Sequence, residues 1–121
     1  MKKFIRHIRN LLVAMYANRI YRKHVKIADD LHAQHKERFY VVMKPNSPNE
    51  LIVINRNNFR SIKKCFRRAY SCVITDGMRE LKAGAFYYTP DRAEHGKLSE
   101  AEKETRRLYF LRMLVKRAAG H

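Results

Sequence analysis

An α+β fold is predicted by three features of the sequence. No glycine or proline occurs before Pro45, so the first third of the chain can form one long helix. Two β-rich runs, Phe39-Tyr40-Val41-Val42-Met43 and Leu51-Ile52-Val53-Ile54, flank the turn-rich Pro45-Asn46-Ser47-Pro48-Asn49 and read as a hairpin. Ser99 and Glu102 form a capping box ahead of an amphipathic run. The expected order is a long N-terminal helix, a β-hairpin, a basic amphipathic helix, an irregular aromatic segment and a C-terminal helix. The 121 residues suit one domain, 1–121, with a helix at 1–37 able to project from a compact part at 38–121.

The first helix is expected from about Lys3 to His35. Phe4, Ile8, Leu11 and Met15 keep helical spacing, then Tyr16 and Ile20 take over, followed by Ile27, Leu31 and His35. The stripe slips around the cylinder near residues 15–20, which a bend or two tandem helices would accommodate. Asn55 to Asn58 supply N-cap candidates for the third segment, where Phe59, Ile62, Phe66, Ala69 and Tyr70 form an apolar stripe. Thr75-Asp76-Gly77 is turn-like and can lead into a short helix from Met78, whereas Ala85-Phe86-Tyr87-Tyr88 can equally be extended. The last helix is expected from Ser99 to Ala118. Glu100, Glu102 and Glu104 stand at its start and Lys116 and Arg117 at its end, as the helix dipole prefers. Leu108, Leu111, Val115 and Ala118 are its expected core face. Tyr109, Phe110 and Met113 then point elsewhere, as candidates for a protein interface.

Charge is the most informative property. Lys and Arg total 27 against 11 acids, a net +16, which favours an anionic partner. Residues 1–28 contain eight basic residues and no acid, and residues 51–75 contain six and no acid. The segments 29–55 and 69–96 are near neutral, so the excess belongs to helices. On the third segment Arg56, Arg60, Lys63, Lys64, Arg67 and Arg68 fan over one side, opposite the apolar stripe. The first helix adds Arg19, Arg22, Lys23 and Lys26 beside Tyr16 and Tyr21, whose rings can serve base stacking or belong to the core.

The expectation is a non-enzymatic protein binding nucleic-acid phosphate backbone with little sequence specificity. The alternative is a structural subunit of a larger nucleic-acid-containing assembly, a ribonucleoprotein or a virion, held by helix-mediated contacts. A homo-oligomer fits either. An anionic membrane, met by Phe4, Ile5, Ile8 and Leu12, is a lesser alternative.

No cofactor, metal or catalytic group is expected. Asp29, His32 and His35 have a ligand-like spacing, but neither a cysteine cluster nor an HExxH motif accompanies them, and a polar helix end explains them. Cys65 with His24 or His95 lacks any nucleophile signature. Cys65 and Cys72 form no disulfide framework, which suits a cytoplasmic setting or the inside of a nucleic-acid-containing particle. The basic start followed by Leu11–Ala17 is too short and lacks the cleavage pattern of a signal peptide.

Overall fold

The computed structural model describes residues 2–44, 47–58 and 78–119, with the backbone alone at residues 48 and 78–80. Helix α1 spans Lys2–His35, followed by strands β1 (Tyr40–Lys44) and β2 (Ser47–Ile54). Helix α2 (Met78–Gly84), strand β3 (Tyr87–Tyr88) and helix α3 (Glu100–Ala119) complete the order. The fold is α+β: two long helices and a small antiparallel sheet. The predicted basic third segment, with Arg60, Lys63, Lys64, Arg67 and Arg68, lies outside the described residues, as do both cysteines.

The sheet order is β2-β1-β3. In the hairpin, Tyr40 pairs with Ile54, Val42 with Ile52 and Met43 with Leu51. Register then shifts between Met43 and Lys44, and Lys44 pairs with Ser47. Strand β2 therefore begins four residues before its apolar run. Because β1 is the central strand, Tyr40–Met43 are all buried, which explains a continuous apolar run in place of alternation. Of the two options left open for residues 85–88, the extended one holds. Tyr87 and Tyr88 pair with Val41 and Tyr40, and the Phe86 and Thr89 amides donate to the Val41 and Phe39 carbonyls at 2.9 and 3.0 Å.

Helix α1 is continuous from Lys2 to His35, so no tandem pair of helices accounts for the slip in its apolar stripe. Its buried residues are Ala17, Tyr21, Ala28 and His32, each one position after the expected Tyr16, Ile20, Ile27 and Leu31. The small side chains of Ala17 and Ala28, both fully buried, let the helix backbone approach its neighbours closely. Ranking positions by hydrophobicity alone passes over them. The helix ends at Lys36, which takes a left-handed φ of 56° and donates its amide to the His32 carbonyl at 2.8 Å. That residue fills the C′ position usually given to glycine, at a cost of about 1 kcal/mol.

Helix α3 starts as predicted, with the Glu102 amide donating to Ser99 Oγ at 3.1 Å. Its inward face differs from the expected one. Phe110 and Leu114 are buried, and Phe110 is fully so, packed edge-on to Phe86 at 5.1 Å and against Tyr21 at 6.0 Å. Phe110 is thus a core residue and not an interface candidate. Met113 is half-buried and also packs on the core, while Tyr109 stays 64% exposed. The correction has a tertiary cause: Tyr21 of α1 and Phe86 ahead of β3 meet at this point, and the Phe110 ring packs against both.

The loop after β3 is fixed by polar contacts. Arg38 donates from Nε to the Thr89 carbonyl and from Nη2 to the His95 carbonyl, both at 2.9 Å. Asp91 accepts from the Ala93 and His95 amides at 2.9 Å, and these bonds, His95 first, hold its carboxyl below the usual range. Gly96 sits at φ +72°, and a Cβ there would collide with the Arg38 guanidinium. Gly96→Ala should therefore lower stability by about 1–3 kcal/mol, read as a lower urea midpoint. An unchanged midpoint would mean that the Arg38 clamp contributes nothing.

Candidate nucleic-acid interface

The cations divide into those used inside the fold and those facing solvent. Arg38, Lys82 and Arg106 surround the Tyr88 ring at 5.1, 5.6 and 5.2 Å. Arg106 also donates to the Lys82 carbonyl at 3.2 Å and to the Ala85 carbonyl, closing the end of α2. Arg107 donates to Asn18 Oδ1 at 3.0 Å and pairs with Glu104, whose carboxyl that guanidinium holds below its ordinary range. These arginines support the structure.

Arg19, Arg22, Lys23 and Lys26 are different. All four are exposed, and among the described residues none has a carboxylate at ion-pair distance. Their spacing of 3, 1 and 3 places them on one side of α1, away from Ala17, Tyr21 and Ala28. They cover about 11 Å of helix axis. Asp29 and Asp30 end the acid-free stretch one turn later. Such a cluster of exposed like charges, without an ion pair to a carboxylate among the described residues, raises the local concentration of anions.

Arg56, the one member of the other basic set that is described, is exposed at the first helical residue after β2. Asn55 and Asn58 cap each other there, with the Asn58 amide donating to Asn55 Oδ1 at 2.8 Å. Of the two tyrosines beside the α1 cations, Tyr21 is a core residue. Its hydroxyl donates to the Phe86 carbonyl at 2.7 Å, and burial pushes its pKa up to about 12. Tyr16 is 57% exposed. Phe86, Tyr87 and Tyr88 are buried, so they too are core and not a stacking surface.

The earlier half of α1 carries a feature that the apolar periodicity did not assign correctly. Phe4, Ile5, Ile8, Leu11, Leu12, Met15 and Tyr16 are all exposed. Their stripe lies on the side of the helix opposite the buried residues and in line with the four cations. The slip near residues 15–20 was the signal. The apolar stripe changes sides there because only the later half of the helix packs on the body with it.

The residues of the ligand-like Asp29, His32, His35 pattern go to separate partners. Asp29 Oδ1 accepts from the Tyr87 hydroxyl at 2.6 Å, and His35 packs by Phe39. Among the described residues no group of three metal-ligating side chains forms. Buried His32 has an acceptor at each ring nitrogen: the Glu37 carbonyl at 2.9 Å from Nδ1 and Glu94 Oε1 at 2.8 Å from Nε2. Only the imidazolium can donate to both, so its pKa is raised, first by the Glu37 carbonyl and then by Glu94. The bonus from protonation is fully present below the unfolded value of about 6.5 and is lost as pH rises through the folded value. Urea midpoints should fall from pH 6 to pH 9, and His32→Gln should flatten that fall. An identical pH profile in the variant would contradict the assignment. Glu94 is 60% exposed, so the effect is modest.

No family model, curated protein or solved structure matches the chain. Among the described residues, no helix is long and apolar enough to cross a membrane.

Proposed function

We propose that this protein binds nucleic-acid phosphate backbone, without catalysis and with little sequence preference. The observation that supports this is the exposed set Arg19, Arg22, Lys23 and Lys26 on one side of α1, unpaired by acids among the described residues. A duplex carries one negative charge per roughly 1.7 Å of axis, so the cationic row spans about six phosphates if laid along it. Lysine and arginine contacts to phosphates fix position and give affinity, but they carry no base identity. Arg60, Lys63, Lys64 and Arg67, expected from the sequence alone, would add contacts of the same chemistry.

Fluorescence anisotropy on labelled duplexes of unrelated sequence tests this reading. Affinities should agree within about threefold across sequences and fall steeply with salt. A preference of a hundredfold or more for one sequence would contradict a backbone reader. The mass of the protein in the same buffers distinguishes a free binding module from a subunit that assembles into a larger particle.

A further inference from the structure

We infer that the first four turns of α1 lie on an anionic lipid surface, with the apolar stripe inserted below the level of the lipid phosphates. Phe4, Ile5, Ile8, Leu11, Leu12 and Met15 are between 41% and 66% exposed, which is unusual for so many large apolar side chains on one helix. The stripe runs about 17 Å along the axis, well short of the roughly 30 Å of a bilayer core. It suits a helix lying in the plane of the interface. Among the described residues the folded body packs on the opposite side of α1, which leaves the stripe facing outward.

Charge decides the occupant. Residues 2–28 contain no acid, and Lys2, Lys3, Arg6 and Arg9 share the first turns with the stripe. The first turn of α1 has no acid to meet the positive end of its dipole, and lipid phosphates would supply that charge. Arg9 and Lys2 stand at the edge of the stripe, where long side chains reach back to headgroups. Farther along the outward side the stripe gives way to Arg19 and Arg22. That order, apolar then cationic, matches the layering of acyl chains beneath phosphates when the helix is tilted.

A second copy of the chain fits less well. Parallel pairing of two stripes would set Arg19–Lys26 against the same residues of the copy. Antiparallel pairing would bring Arg19 near Lys2 of the copy, at the edge of the stripe. Either arrangement brings like charges together. Nucleic acid does not cover the stripe, because a duplex presents phosphates and not an apolar plane. Insertion of the stripe therefore does not rest on the nucleic-acid reading, although Arg19 and Arg22 would meet phosphates in either.

Vesicle flotation tests the inference. The full chain should float with vesicles of equimolar phosphatidylcholine and phosphatidylglycerol and not with phosphatidylcholine alone. The variant I8N/L12N, changed only at exposed positions and without altering the charge, should lose at least about tenfold in vesicle affinity while its duplex binding is unchanged. A tryptophan placed by L12W should shift its emission to the blue on the anionic vesicles. No flotation, equal flotation of I8N/L12N, or an unshifted L12W emission would each overturn the inference. So would a dimeric mass that I8N/L12N returns to monomer, which would assign the stripe to a second copy.

Discussion

Phe110→Ala is expected to cost about 3–5 kcal/mol of folding free energy, the largest loss from any single truncation considered for this chain. Phe110 is fully buried and touches both Tyr21 of α1 and Phe86 beside β3. It therefore joins both long helices and the sheet, and its removal leaves a cavity that three separate elements border. Their backbones are held elsewhere, by the sheet ladder and by the Arg106 bonds to the end of α2, so the cavity can collapse only in part. A domain of this size has about 5–15 kcal/mol in total, so the variant should lose a large share of its stability and unfold at a clearly lower urea concentration. Tyr109→Ala, at the adjacent but exposed position, should cost below about 1 kcal/mol. Urea titration of both variants checks this, provided that the slope of the transition stays constant. Equal losses at the two positions would contradict the observed phase of α3.

The second large effect concerns binding. Replacing Arg19, Arg22, Lys23 and Lys26 together with glutamine should weaken duplex affinity by about 10²–10³-fold near 0.1 M salt, because up to four phosphate contacts disappear. Stability should change little, since all four side chains are exposed. Arg106→Gln is the informative contrast. It loses the bonds to the Lys82 and Ala85 carbonyls and the contact with Tyr88, so it should destabilise the fold and leave the affinity of the folded protein unchanged. A net charge change alone would act on both in proportion to the charges removed. The proposed interface predicts a loss confined to the α1 set.

Much of the architecture was legible in the sequence, and the residues say why. The absence of Gly and Pro before Pro45 gave the full length of α1, and Ser99 with Glu102 gave the start of α3. What periodicity could not give was which way each helix faces. Ala17 and Ala28 rank low as apolar residues yet define the inward side of α1, since a close helix approach needs small side chains. Phe110 was displaced to the surface because Leu108, Leu111 and Val115 form a plausible helical stripe by themselves. The third strand is only two residues long, too short for periodicity to separate it from helix, so its strand-favouring aromatic residues left residues 85–88 open between the two. For the candidate site, the charge pattern pointed first to Arg60, Lys63, Lys64 and Arg67, which lie outside the described residues, and second to the four α1 cations. The exposed apolar stripe beside them showed in the sequence as the slip in phase and as the membrane alternative for Phe4, Ile5, Ile8 and Leu12.

The proposed function is tested most directly by the salt dependence of duplex binding, measured for the unaltered protein and for the fourfold glutamine variant. Each phosphate contact contributes about 0.9 to the slope of log affinity against log salt. The variant should therefore show a slope shallower by about 3–4, with the two lines converging at high salt. Parallel lines, or affinity without salt dependence in the unaltered protein, would show that this face of α1 does not hold phosphates.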